Sequence, residues 1–227
     1  MSGAAAPNYN VSGQLASLSQ SATLIGTPRV GIKETLGTGL LTTNATGSAL
    51  AAESTATIDG LSFGLDSSLF IIPLSLLKIS ATTIQSYSQA NSVGGLDASG
   101  HTTIAGLSLS GSALGNLVFD ASLFVNPNPN TVLFNLAGLS IILNEQVASG
   151  DGVTFSGIST NAIAVRFNNF ALGTGLANGA VIIGHTQAAA WAGQPSAPVP
   201  EPTTWAMLLL GFSTIGYAIR RRRLAFA

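Results

Sequence analysis

The side chains that could support acid and base chemistry are few and widely spaced along this sequence. Among 227 residues there are nine acidic residues, two histidines and no cysteine. Thiol catalysis, disulfide frameworks, zinc fingers and cysteine-ligated clusters are therefore excluded, and few metal sites can be assembled. Glu145 and Asp151 could form a carboxylate pair or contribute to a calcium site, but we prefer the simpler interpretation of a turn aspartate and a hydrogen-bonded polar residue at a strand end.

Other catalytic arrangements have little support in the sequence. His101 and His185 lie next to glycines in separate regions, and as histidines at strand ends they require no function. No Gly-x-Ser-x-Gly elbow supports a serine nucleophile, and Gly37-Thr38-Gly39 lacks the third glycine of a nucleotide-binding loop. The second functional hypothesis is a secreted hydrolase acting on polysaccharide, which needs two carboxylates about 5 to 10 Å apart in a cleft. Its candidate acids are Asp66, Asp97, Asp120, Glu145 and Asp151.

The composition predicts one sizeable core under a weakly charged surface. Hydrophobic residues make up 46% of the chain and charged residues 7%, whereas about 25% is usual for charged residues in soluble domains. The net charge of −1 conceals an uneven distribution, because residues 1–199 contain four basic and eight acidic residues while Arg220, Arg221, Arg222 and Arg223 form one block. An acidic body repels phosphate, so we expect no nucleic-acid partner.

Strand signals run through residues 8–190, which we predict to be an all-β domain built as an antiparallel β-sandwich or a barrel-like fold. Apolar residues occupy every second position in residues 55–63, 106–110 and 158–167, as half-buried strands require. Frequent glycines between such segments favour turns over helices. The predicted core is drawn from Ile58, Phe63, Leu69, Ile71, Leu107, Leu109, Phe119, Leu133, Leu139, Ile141, Phe155, Ile163, Val165 and Ile182.

Two segments are apolar at nearly every position, and two others carry turn residues. Residues 69–77 are interrupted by Pro73, which favours a central strand leading into an edge or a bulge over a short membrane-like helix. Residues 136–143 form the second apolar run. The segments 126–130 and 150–152 contain the Asn-Pro and Asp-Gly pairs that are typical of turns and hairpins.

The composition changes after residue 190. Residues 191–202 are rich in proline and predict an extended linker. Residues 203–219 carry no charge, and a helix of that length spans roughly 25 Å, close to the hydrocarbon thickness of about 30 Å. We therefore predict one transmembrane helix followed by a basic cytoplasmic tail at residues 220–227. The alternatives are a buried C-terminal helix, and arginines that bind nucleic acid or a nuclear import factor.

This C-terminal region resembles the PEP-CTERM sorting signal of Gram-negative bacteria. The resemblance rests on Pro200-Glu201-Pro202, on the following Trp205-Ala206-Met207 and Gly211-Phe212, and on the terminal arginine cluster. It implies processing near Pro-Glu-Pro by an exosortase, a membrane-embedded cysteine transpeptidase, with Arg220 to Arg223 as the stop-transfer charge. The implied membrane anchor comprises Trp205, Ala206, Met207, Leu208, Leu209, Leu210, Gly211, Phe212, Ile215, Gly216, Tyr217 and Ile219.

Residues 45–190 are similar to the choice-of-anchor P family, bacterial surface proteins that share a β domain and end in different sorting signals. The similarity rests on Asn144-Glu145-Gln146, Ser149 to Gly152, Asn161-Ala162 and Gly184-His185. It implies no activity for any residue of this chain.

Together these features predict an exported surface or extracellular-matrix protein with a non-catalytic β domain and no cofactor. The precursor would lie in the inner membrane with its β domain outside the cytoplasm, and the mature form at the cell surface or outside the cell. Its expected partners are an exosortase, the membrane and exopolysaccharide or other matrix components. Residues 1–7 are predicted to be disordered, and residues 1–20 lack the basic and apolar parts of a signal peptide, which we attribute to a start codon assigned too late.

Overall fold

The computed structural model describes residues 8–26, 30–69, 72–115, 125–172 and 175–192. These residues form twelve β-strands and one 3-10 turn at Ser112–Leu114, as the alternating apolar pattern predicts. The strands are β1 (Asn8–Leu15), β2 (Leu18–Gly26), β3 (Val30–Thr38), β4 (Leu41–Ser48), β5 (Ala51–Leu69), β6 (Ile72–Asn91), β7 (Asp97–Ala105), β8 (Ser108–Ser110), β9 (Thr131–Leu136), β10 (Leu139–Gly150), β11 (Phe155–Leu172) and β12 (Gly175–Trp191).

The strands form two antiparallel sheets that pack face to face. In the first sheet, β1 pairs with β4 and β2 with β3, while β3 and β4 pair with successive parts of the long strand β5. On its other side β5 pairs with β6, and β6 pairs with β7 and β8. The second sheet has the order β9, β10, β11, β12. Because β11 and β12 lie against β5, β6 and β7, the all-β antiparallel prediction is confirmed as a two-sheet arrangement.

A row of left-handed backbone positions crosses each sheet. In the first sheet Gly60 and Gly106 have φ of 63° and 62°, and both lie beside Thr82 on β6. In the second sheet Asn144 and Gly184 have φ of 49° and 66°, and the strand between them contributes Ala162 at the same level. We call these two rows the switch rows.

The alternation of buried side chains shifts by one residue at the switch rows. On β5 the buried residues are Ala56 and Ile58 before Gly60, and Leu61 and Phe63 after it. Since side chains of a regular strand alternate strictly between the two faces, the left-handed glycine changes which residues face the core.

The two sides of the switch rows have different cores. On one side lies a large aliphatic and aromatic cluster that includes Phe63, Leu77, Leu139 and Ile163. On the other side Ile58, Ile84 and Ile104 continue this cluster next to the switch row.

Farther along, the sheets approach through buried hydroxyl groups and alanines, as where Ser88 Oγ lies 2.9 Å from Thr160 Oγ1. Small residues allow the sheets to approach closely there. The hydroxyls of Ser88, Thr160 and Thr186 are hydrogen-bonded, which offsets the cost of their burial, whereas Ser86 Oγ and Thr102 Oγ1 are buried without a partner among the described residues.

Most of the predicted core is confirmed. Seven of its members are buried and two more pack against the buried cluster, while Phe155 is half-buried and stacks on Trp191 at 5.1 Å between ring centroids. Ile182 was predicted wrongly, because it is 40% exposed and Ile183 faces the core in its place. The side chains of Leu69, Ile71 and Phe119 lie outside the described residues. The nine confirmed positions are Ile58, Phe63, Leu107, Leu109, Leu133, Leu139, Ile141, Ile163 and Val165.

Both apolar runs belong to hairpins. The strand predicted over residues 69–77 is confirmed for residues 72–77, which begin β6 and contain a register shift opposite Leu65 and Asp66, whereas Leu69 ends the preceding strand β5. Pro73 lies at the start of β6, where a missing N–H is tolerated. The run at 136–143 contains the two-residue turn Ala137-Gly138 between β9 and β10, with φ of 52° and 83°, which matches the turn that favours right-handed strand twist.

The turn predictions at residues 126–130 and 150–152 were correct. Residues 126–130 precede β9, and the loop after Gly150 connects β10 to β11.

Candidate functional site

The predicted sorting and membrane segments lie outside the described residues. This applies to Pro200, Glu201 and Pro202, to the predicted anchor at 203–219 and to Arg220 through Arg223. Among the residues that the structure does describe, no helix is long and apolar enough to cross a membrane.

A polar network that joins three strands lies on the second sheet beside its switch row. Glu145, Asn161 and His185 are direct neighbours on β10, β11 and β12. Asn161 Nδ2 donates to Glu145 Oε2 over 2.8 Å, and Asn161 Oδ1 lies 2.7 Å from His185 Nδ1. Because a carboxylate only accepts hydrogen bonds, the Asn161 amide nitrogen faces Glu145 and the amide oxygen faces His185. An amide oxygen needs a donor, so the His185 proton is assigned to Nδ1.

Arg166 completes this network from the same strand as Asn161. Its Nε donates to Glu145 Oε1 over 2.9 Å and a terminal nitrogen donates to the same oxygen over 2.5 Å. The Glu145 side chain is 8% exposed and the Arg166 side chain 46% exposed, so Arg166 joins a buried carboxylate to the solvent. With both oxygens of Glu145 hydrogen-bonded, the group connects the three strands β10, β11 and β12.

Two pairs of the carboxylates predicted as possible catalytic acids lie far apart along the strands. Glu145 lies within β10 and Asp151 lies in the hairpin loop that follows it, six residues or about 20 Å away along the chain. Asp97 lies level with Ala51, the first residue of β5, whereas Asp66 lies near the other end of β5. Asp97 and Asp66 are therefore on the order of 50 Å apart along the strand. Asp120 lies outside the described residues.

Asp151 organises the β10–β11 hairpin. Its Oδ1 accepts the backbone N–H groups of Val153, Thr154 and Phe155 over 2.9, 2.7 and 3.1 Å, and its Oδ2 accepts the Thr154 hydroxyl over 2.6 Å. These donors, with the Thr154 hydroxyl the strongest, hold the pKa of Asp151 far below its usual range. In the described part of the chain, no three histidine or acidic side chains converge on a position for a metal ion.

We predict that the Asp151 hairpin loses order only in strong acid. A lowered folded-state pKa stabilises the ordered loop above the unfolded pKa of about 3.9, and the stabilisation is lost as the pH falls through the folded value. The amide NMR shifts of Val153 and Thr154 should therefore be constant from pH 7 to about 4 and move only below that. Asp151→Asn keeps an acceptor oxygen and should abolish the transition, whereas a midpoint at or above the ordinary aspartate value in the parent chain would contradict the prediction.

The prediction that both histidines lie at strand ends was wrong. His101 lies inside β7, and its ring packs at a tilt against that of Tyr87 on β6 with 4.8 Å between ring centroids. His185 lies inside β12.

Burial and the nearby Glu53 raise the pKa of Tyr87, whose hydroxyl donates to Gln89 Oε1 over 2.9 Å.

Sequence reasoning missed Asn161 and Arg166 as partners of Glu145. A usable signal is present, because Glu145 follows the apolar residues 139–143 and Arg166 follows the apolar residues 162–165. Opposite charges within two apolar strands suggest a pair wherever those strands are neighbours.

The comparisons with known proteins concern the C-terminal region. The chain matches the family described as PEP-CTERM protein-sorting motif over residues 198–223. No curated protein matches the chain, and no solved structure does. The similarity of residues 45–190 to the choice-of-anchor P family therefore gains no support and stays a prediction.

The matched residues 198–223 include Pro200-Glu201-Pro202 and the four arginines. Such a motif implies a membrane-anchored precursor that an exosortase processes. The chain therefore carries a PEP-CTERM sorting motif at its C-terminal end, behind an antiparallel β domain, and the motif implies a protein sorted to the cell surface.

Proposed function

We propose that this chain is a surface or extracellular-matrix protein whose β domain is adhesive or structural and whose C-terminal signal is cut by an exosortase near Pro200-Glu201-Pro202. The observation that carries the proposal is the sorting motif at residues 198–223. Each of its three parts has a separate task. The Pro-Glu-Pro element is recognised, the apolar segment retains the chain in the membrane, and the arginine cluster sets the orientation.

Features of the described β domain support a non-catalytic role. Glu145 is bound by Arg166 and Asn161, Asp151 is bound by its own loop, and the two lie apart along one strand. The low charge and the serine, threonine and asparagine side chains of the surface are compatible with an exopolysaccharide matrix. A choice-of-anchor P relationship would agree with this role, since those proteins share a β domain and differ in their sorting signals.

The proposed topology places one helix at residues 203–219 across the inner membrane. The arginines at residues 220–223 stay in the cytoplasm, as basic flanks of spanning helices do, and the β domain lies outside it. After cleavage the β domain leaves this helix for the cell surface or the extracellular matrix.

Intact-mass measurement of the mature protein from a host with an exosortase tests the proposal. We expect a mass that lacks the residues C-terminal to the Pro-Glu-Pro element, including Arg220 through Arg223, whereas a strain without the exosortase should yield the longer precursor. A mature protein that keeps these arginines in both strains would refute processing. The same spectrum defines the N-terminus of the exported chain.

A further inference from the structure

The outermost described strand of the second sheet carries no charged residue and no proline that would discourage strand addition. Strand β12 runs from Gly175 to Trp191 and pairs with β11 on one side. Its seventeen residues include no Asp, Glu, Lys, Arg or Pro. Natural edge strands are normally short or carry charges and prolines that discourage pairing with another chain. A long uncharged edge is therefore suited to accept a strand.

The first sheet extends beyond this edge. Strand β12 packs against β5 and β6, and β3 and β4 continue the first sheet on the far side of β5. Leu36 and Leu41 on these strands are partly buried, while Val11 and Leu15 on the neighbouring β1 are 62% and 51% exposed. The described part of the first sheet thus presents an apolar surface next to the β12 edge.

Three cavities follow β12 along this surface, and together we call them the β12 groove. The first, of about 360 Å³, lies beside β12 residues 176–181 and reaches the core residues Phe63 and Leu65. The second, of about 270 Å³, lies beside residues 182–185 and includes Leu36 and Leu41. The third, of about 380 Å³, lies beside residues 185–187 and is lined by both polar and apolar residues. The groove is thus apolar along most of its length.

At Gln187 the main-chain groups of the β12 edge are already bound by the first sheet of the same domain, so an added strand would pair with the part of β12 that precedes Gln187. The Gln187 N–H donates to Ser54 Oγ over 3.0 Å, and Ser54 Oγ donates to the Gln187 carbonyl over 2.8 Å. A serine hydroxyl from the first sheet thus takes the place of a strand at this residue. The N–H and C=O groups of alternate residues, such as Ala189, point to the same side of β12 as those of Gln187.

We propose that the β12 groove binds an extended strand of a partner protein that carries alternating apolar residues and one basic residue. The main chain of the strand would pair with β12, and its apolar side chains would enter the first two cavities. The basic residue follows from Glu34, which lines the first cavity and forms no ion pair with another described residue.

A peptide titration on the full chain in lipid nanodiscs tests this proposal. The probe is the labelled peptide Val-Thr-Val-Thr-Lys-Thr-Val-Thr-Val, with a matched peptide that has Glu in place of Lys. We expect saturable binding of the Lys peptide, at least tenfold tighter than that of the Glu peptide. The variant Glu34→Lys should reverse this preference, and circular dichroism checks that the variant keeps its strands.

Backbone methylation separates strand pairing from apolar binding. Two versions of the Lys peptide carry N-methyl groups at the odd or the even positions, and pairing with β12 requires that one version loses binding at least tenfold while the other keeps it. Equal binding of both versions, absence of saturable binding at millimolar peptide, or a dimer of the chain that excludes the peptide would each overturn the proposal. None of these outcomes depends on exosortase cleavage.

Discussion

Replacing Pro200, Glu201 and Pro202 by alanine is expected to stop maturation and leave membrane insertion unchanged. The prolines keep the recognition element extended and remove backbone donors that could form competing structure, and all three residues precede the apolar span of residues 203–219. The uncut precursor should therefore accumulate in the membrane of an exosortase-containing host. Cell fractionation and immunoblotting with an antibody against the β domain measure the amounts of precursor and mature protein.

Replacing Arg220 through Arg223 by serine is the matched control, because it alters the other charged part of the motif. Loss of these cations should weaken the stop-transfer signal and the orientation that it sets, so the chain should change its distribution between membrane and periplasm. The two variants must differ in this way if recognition and retention are separate tasks. Normal maturation of the triple-alanine variant would refute a recognition role for Pro-Glu-Pro.

The strand pattern of the β domain could be predicted because it depends on local alternation. In residues 106–110 the apolar Leu107 and Leu109 occupy alternate positions and both pack into the core, and this needs no knowledge of which strand is adjacent. The turn at residues 126–130 was recognisable because proline restricts its own φ and the residue before it. These predictions use information within about ten residues.

The switch rows could not be predicted in the same way. A left-handed residue inside a strand exchanges the two faces of everything beyond it, and Asn144 gives no local sign of adopting φ of 49°. The error at Ile182 has this cause, because the alternation changes at Gly184, two residues later. The Ala137-Gly138 turn was missed for a related reason, since alanine within an apolar run is not a turn signal.

The polar network required knowledge of strand register. Glu145 lies 16 residues before Asn161 and 21 residues before Arg166, and their contacts follow only once β10 is paired with β11 in the observed register. A shift of one residue would turn Glu145 to the other face of the sheet. Candidate residues were therefore visible in the sequence, but their partners were not.

Removal of Arg166 is expected to destabilise the β domain more than removal of Glu145. Arg166→Leu leaves the buried Glu145 carboxylate with Asn161 as its remaining partner and should cost about 2 to 3 kcal/mol, below the 3 to 5 kcal/mol typical of fully buried pairs because Arg166 is half exposed. Glu145→Leu should cost about 1 to 2 kcal/mol, since Arg166 can then turn to water and Asn161 Nδ2 loses its acceptor. Urea denaturation followed by circular dichroism measures each free energy of unfolding.

The double variant decides whether these costs arise from an uncompensated buried charge or from lost packing. If the unpaired carboxylate dominates, Glu145→Leu in the Arg166→Leu background removes it, and the double variant should be more stable than Arg166→Leu alone by about 1 kcal/mol or more. Arg166→Lys is the matched control, because lysine keeps the charge but cannot present two nitrogens to one carboxylate and should cost less than leucine does. If the double variant instead loses as much free energy of unfolding as the two single variants together, the loss comes from the aliphatic stems of the two side chains. The ion pair would then have no measurable role in joining β10 to β11.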